Sequence, residues 1–158
     1  LSRITATEAD LTCARAAKVI AKQAILSRAT LTGFRAGPGA DFSEAQLDKV
    51  QGAGSIWQEA ILDRVNFRES SLAKSNFAGA SLKQTILDLC DLRKSNFPGA
   101  TLEKSCLLKS NLFQTNFRGA LLKSTDFRGS NLFESEFLEA TIEGNSFELA
   151  NLEGTNLV

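Results

Sequence analysis

The sequence predicts an all-β solenoid, a stack of short coils that repeat one cross-section. Three observations carry this. From Phe42 to Leu157 every fifth residue is large and apolar, in 23 of 24 positions, Gly52 being the exception. Two residues before nearly all of these centres the chain is small, with Ala, Ser and Thr dominant and Cys or Val occasional. The fives are also grouped in twenties. Trp57, Phe77, Phe97, Phe117 and Phe137 form one series, Leu62, Leu82, Leu102, Leu122 and Ile142 a second, and Ala60, Ala80, Ala100, Ala120 and Ala140 a third. A unit of five matches neither the helical period of about 3.6 nor the strand period of 2. A chain that turns a corner at every unit can point both the centre and its small partner inward.

The period of 20 sets four units per coil and gives each face its own column. Successive coils then pair through their backbones at a spacing of about 4.8 Å. Gly79, Gly99 and Gly119 recur at the corner between the aromatic and leucine faces, where a positive φ suits glycine. One outward column reads Asp63, Lys83, Glu103, Lys123 and Glu143, with the sign alternating at each coil. Opposite charges facing across paired strands each contribute roughly 0.2–1 kcal/mol. Ser55, Ser75, Ser95, Thr115 and Ser135 form a hydroxyl column that can bond backbone at a corner. Asn66, Asn76, Asn96, Asn111, Asn116 and Asn131, with Asp126, precede centres and read as local turn bonds.

Segments such as Ala150-Asn151-Leu152-Glu153-Gly154 and Ser75-Asn76-Phe77-Ala78-Gly79 resemble the A(D/N)LxX unit of pentapeptide-repeat proteins. The resemblance spans nearly the whole chain. It implies a right-handed quadrilateral β-helix, one unit per face, forming a single domain over 1–158. It also implies a non-enzymatic binding or structural module of bacterial type. Some members imitate DNA against a type II topoisomerase, and members often dimerise through a terminal coil.

The first 36 residues are less regular. Ala9, Leu11, Ala14, Ala16, Val19, Ala21, Ala24, Leu26, Ala29 and Leu31 keep the inward pattern one register earlier. The stretch 8–28 therefore reads as thin starting coils or as a capping helix, and the pattern favours coils. Leu31 and Phe42 are 11 apart, so one extra residue falls near Gly37-Pro38-Gly39, giving a bulge or loop at 36–41. Gly52 suggests a second defect, and these coils are the expected place for local opening.

Charge and chemistry exclude more than they assign. The chain carries 18 basic and 18 acidic residues. Zero net charge argues against nucleic acid as the partner and against the DNA-mimic reading, which needs a long acidic surface. Acid gathers instead at one end, in Glu134, Glu136, Glu139, Glu143, Glu148 and Glu153. No apolar run is long enough for a membrane-spanning helix, so no membrane role is expected. There is no His and no Tyr, which removes the commonest general base and metal ligand. Cys90 falls at an inward small position and reads as core filler; Cys106 points outward without a basic partner. Cys13, Cys90 and Cys106 have neither zinc spacing nor a disulfide pattern, which suits a cytoplasmic setting. No catalytic, metal or cofactor residue is assigned.

What remains is surface. Phe113 and Phe133, 20 apart and each one past a centre, should stack on the outside of one face. Leu108 and Leu138 are outward too, as is Leu121, and with the two Phe the first pair forms the candidate partner-binding surface. The sequence stops within a repeat, which suggests an end-to-end homodimer through the last coil or continuation into another domain. The expected function is a protein-interaction scaffold. The alternatives are a domain of a secreted bacterial effector, or an adaptor that loads one, and the DNA mimic.

Overall fold

The computed structural model describes residues 4–157. The chain winds as a right-handed quadrilateral β-helix of seven complete coils, 4–23, 24–44, 45–64, 65–84, 85–104, 105–124 and 125–144, followed by 145–157. Each face contributes one parallel backbone bridge per coil, at the residue before the centre: Asn76 pairs with Asn96, and Asn96 with Asn116. Among the described residues only one bridge widens into strands, β1 (Leu121–Lys123) beside β2 (Thr141–Glu143), with Leu122 opposite Ile142. Among the described residues there is no helix, so the stretch 8–28 consists of coils.

Most corners are built the same way. The carbonyl of a centre accepts the N–H three residues on, as from Ala80 to Phe77 (3.0 Å) and from Ala100 to Phe97 (3.0 Å). The third turn residue has φ near +60°, the type II pattern, at Gly79, Gly99 and Gly119 as expected. Lys, Glu, Gln, Arg and even Leu adopt the same φ at other corners, Leu149 among them (φ 59°). A left-handed non-glycine residue costs roughly 1–3 kcal/mol and persists only where its surroundings over-determine it. At most corners the N–H of that residue is tied to the next coil, as Lys74 to the Arg93 carbonyl (2.9 Å) and Leu89 to the Leu108 carbonyl (2.9 Å).

The core is a set of stacked columns. Phe77, Phe97, Phe117 and Phe137 lie ring on ring, with centroids 4.7 Å, 5.1 Å and 5.1 Å apart. From the opposite face Phe67 and Phe127 meet this stack edge-on, at 6.2 Å and 5.8 Å. The small inward positions on three faces hold hydroxyls. Ser75, Ser95 and Thr115 donate to the carbonyls of Gly52, Leu72 and Leu92, each at 3.0 Å or less. These carbonyls already serve a corner, so each hydroxyl takes a second lone pair. Among the described residues, no buried side-chain polar atom is left without a partner.

Two irregularities have physical explanations. The extra residue is Gly37. The turn beyond it runs from the Gly37 carbonyl to the Ala40 N–H (3.1 Å), with Pro38 second and Gly39 third (φ 80°). A side chain at Gly37 would begin 3.2 Å from the Ala17 methyl, so the bulge packs closely on the preceding coil and a larger residue would require Ala17 to shift. Bridges spanning it join residues 21 apart, Ile20 with Asp41 and Arg35 with Ile56, and the spacing of 20 returns at Asp41 with Ile61. Gly52, by contrast, is no break. Its bridge neighbour Gln51 pairs with Ser71, and Gly52 itself is buried. A Cβ there would meet Leu72 at 3.0 Å, because the space is already filled. Trp57, the largest core side chain, lies in the same coil; its indole N–H donates to Ser55 (2.7 Å). Phe34 also enters this cluster, 5.1 Å from Trp57 and 6.1 Å from Phe42. It occupies a position otherwise kept for small residues, while the centre beside it is Ala36, so large and small have exchanged places.

Phe97→Ala should cost roughly 3–5 kcal/mol, since it empties the middle of a closed stack. Leu149→Ala, at a side chain 88% exposed, should leave the melting temperature within a degree or two of the original. Equal effects of the two substitutions in thermal unfolding would contradict this register.

Candidate interaction surface

With the interior closed by side chains, what the molecule can recognise lies on its faces and corners. The residue before each centre points out from a face, and the two after it form a corner. Asn and Asp on the faces act locally. Asn76, Asn116 and Asp126 accept the N–H two residues on, from Ala78 (2.9 Å), Arg118 (2.8 Å) and Arg128 (3.0 Å). They fix turn geometry.

Phe113 and Phe133 meet as expected. Their rings are parallel within 5°, with centroids 5.9 Å apart, and both are half-buried on the corner after the Leu112 and Leu132 face. Their backbone N–H groups are held by Asn111 and Asn131 (3.3 Å each), and Asn131 donates in turn to Asn111 (3.3 Å). Leu108 and Leu138 do not join them. Leu108 follows Leu107 and sits one corner earlier, beside Lys109 and Arg128; Leu138 follows Phe137 and sits one corner later. The reason is the period: 113 and 133 differ by a whole coil, whereas 108 and 138 are offset from 113 by a quarter turn each way.

The acidic residues likewise form no single face. Glu134 and Glu153 lie on the Phe113 corner, Glu136 on a face, and Glu139, Glu143 and Glu148 on the three other corners. They ring the molecule, and the coil above answers them. Arg118 pairs with Glu139 (3.2 Å), Lys123 with Glu143 (3.1 Å), and Gln114 donates to Glu134 (2.6 Å). The alternating ladder is only partly realised. Lys123 and Glu143 close, but Asp63 accepts instead from the Ser81 hydroxyl (2.6 Å) and the Lys83 N–H (3.0 Å). A nearby hydroxyl and a fixed backbone donor cost less side-chain entropy than a long lysine.

The thiols show no sign of activation. Burial pushes Cys90 up to about 12, and its Sγ donates to the Phe67 carbonyl (3.0 Å). Cys106 is half-buried, and burial, with Asp88 and Asp126 beside it, raises its thiol as well; Arg128 opposes this less strongly. Neither environment favours the thiolate that nucleophilic chemistry needs. Among the described residues, no group of three or more His, Cys, Asp or Glu side chains converges on a metal-sized site. Several carboxylates are held low by hydrogen bonds or cations, and two of them are tied to an arginine of their own unit. Arg93 binds Asp91 through two bonds (2.8 and 2.7 Å) and Arg128 binds Asp126 likewise (2.9 and 2.6 Å), holding both carboxyls below their ordinary range.

Sequence comparison agrees with this geometry. The family model for pentapeptide repeats matches residues 53–88, 75–107 and 110–144, with eight copies. The chain belongs to the pentapeptide-repeat family. No curated protein matches it. Among solved structures, a trypsin-treated QnrB1, a plasmid-mediated fluoroquinolone resistance protein, aligns over 94% of this chain and 91% of its own, at 13% identity and a TM-score of 0.55. That likeness concerns the β-helix alone. Rfr23 from the cyanobacterium Cyanothece 51142 aligns over 61% of this chain at 23% identity and a TM-score of 0.37; the chain spans 62% of that structure. A pentapeptide-repeat protein of the Arabidopsis thaliana thylakoid lumen aligns over 68% of each chain at 28% identity and a TM-score of 0.39.

Two measurements follow from the polar groups of this pentapeptide-repeat protein. Thiol labelling of the native chain should proceed in the order of exposure, Cys13, then Cys106, with Cys90 reacting only on unfolding. Prompt labelling of all three would contradict the burial of Cys90. The second concerns acid. A carboxylate whose folded pKa is depressed stabilises the fold above its unfolded value, near 3.9 for Asp, and loses that contribution as pH falls through the lower folded value. Melting temperature should therefore decline below about pH 4. Asp91→Asn with Asp126→Asn should shallow that decline; an unchanged pH profile would show that these pairs do not couple to folding.

Proposed function

We propose that this chain is a non-enzymatic protein-interaction scaffold whose contact site is the Phe113–Phe133 corner. One observation carries the reading. Of 11 Phe in the sequence, nine are inward in the columns, and Phe113 and Phe133 are the two placed on the outside, stacked on each other. Rigid, half-exposed aromatic side chains lose little conformational entropy on binding and are frequent anchors of protein interfaces. The backbone under them is locked to neighbouring coils, so the pair is preorganised.

The absence of His and the raised Cys90 and Cys106 thiols support a binding role over catalysis. Three free thiols, Cys13 exposed among them, fit a reducing, cytoplasmic compartment. Imitation of DNA gains little support, because only the last coils carry a strong excess of acid over base, and there several glutamates are matched by Arg118, Lys123 and Gln114.

Phe113→Glu combined with Phe133→Glu should keep the β-helix, because both side chains lie outside the core. Partner capture from lysate should drop by about tenfold or more, the loss expected of a central anchor pair. Undiminished capture by a folded double variant would remove this corner as the site.

A further inference from the structure

The corner that carries Phe113 and Phe133 continues through the two preceding coils as Ala73-Lys74 and Arg93-Lys94. Ala73, Lys74, Arg93, Lys94 and Phe113 line one shallow cleft. The cleft opens because Ala73 is only a methyl group where the next coils place Arg93 and Phe113. Arg93 is neutralised within its own unit by Asp91 (2.7 Å). Lys74 and Lys94 are not. Both are exposed, and the ion pairs among the described residues lie elsewhere. Two uncompensated cations therefore stand directly above a stacked aromatic pair on one straight edge.

We propose that this edge takes an extended acidic segment of a partner protein, with carboxylates at Lys74 and Lys94 and an apolar side chain against Phe113 and Phe133. The inference rests on the scaffold reading and gives it a partner chemistry. Charge complementarity selects an anion at the upper end. The edges of aromatic rings are themselves electropositive, so the lower end does not repel a neighbouring carboxylate. Length fits a peptide. Lys74 and Phe133 are three coils apart, about 14 Å at roughly 4.8 Å per coil, which an extended chain covers in about four residues. The polarity of the edge also argues for peptide over nucleic acid. Below Lys74 and Lys94 the same column becomes Gln114 and Glu134, joined at 2.6 Å, so a phosphate backbone following the corner would run into acid. The two rings already face one another, which leaves little ring face for bases.

The test is fluorescence anisotropy with the full chain and fluorescein-labelled decapeptides. The probe peptides carry two Glu separated by three or four residues from a Phe, in both orders. Comparison peptides have Lys for Glu or Ser for Phe, and an oligothymidylate serves as the nucleic-acid arm. Saturable binding of the Glu–Phe peptides is expected, falling with salt and weakened about tenfold or more by Lys74→Glu with Lys94→Glu and by Phe113→Ser with Phe133→Ser. The lysine pair lies on exposed turns, so melting curves should not change. Three results would each overturn the inference: no binding of the Glu–Phe peptides, equal binding of the Lys-for-Glu peptides, or binding of the oligothymidylate alone. Lysate capture separates this failure from that of the scaffold reading. A partner lost with the phenylalanine double variant but retained by the lysine double variant leaves the scaffold and removes the acidic segment.

Discussion

Parallel backbone hydrogen bonds between coils are the constraint on which this molecule depends. The N–H of Phe77 donates to the Asn96 carbonyl and that of Phe97 to the Asn116 carbonyl, each at 2.7 Å. Such bonds fix a register of 20, and the register places like residues over like. Phenylalanine rings then stack within 5.1 Å from Phe77 to Phe137, and inner hydroxyls such as Ser95 and Thr115 reach carbonyls of the preceding coil. The same lattice holds the third residue of every corner at positive φ, including long charged residues that would avoid it in isolation. Local strain at the corners is thus offset by ladders along the faces, and neither would persist alone.

Legibility in the sequence followed this division. Anything set by period could be read directly: the four faces, the inward columns, the glycine corner, and the meeting of Phe113 with Phe133, which are one coil apart. Anything set by volume or by competition among polar partners could not. Phe34 sits at a small-residue position and Ala36 at a centre. Both lie in the stretch whose spacing is less regular, and the spacing does not show that each compensates the other or that Trp57 lies against Phe34. Gly52 looked like a gap because a glycine has no side chain to count, yet neighbouring side chains occupy its space. Asp63 looked like a rung of a charge ladder, but Ser81 and a backbone N–H hold it. The surface suffered most from reading along the line. Leu108 and Leu138 belong to other corners, and six glutamates close in sequence become a ring in space.

That ring and the aromatic corner illustrate how a regular solenoid acquires individuality. The inner columns must obey the period, so variation is confined to the outward positions, where each column is a short linear array at fixed spacing. On the Phe113 corner the array changes character from cation to aromatic ring to acid over a few coils. Elsewhere the pairing of Arg118 and Lys123 with glutamates one coil below spends opposite charges against each other and leaves little net field. An unpaired run on an otherwise balanced surface stands out more sharply than it would on a strongly charged one.

The bulge at Gly37 has a consequence for how such a chain can change. One residue is added, the partners on every face move by one for a single turn of the winding, and the original spacing then resumes at Asp41 with Ile61. The disturbance behaves like a dislocation that heals within one lattice repeat, since each coil takes its alignment only from the coils it touches. Single-residue insertions at a glycine corner, and duplications or losses of whole coils, are therefore mutational steps that leave distant coils untouched. Evolution can vary the length of this molecule while keeping a surface such as the Phe113 corner intact.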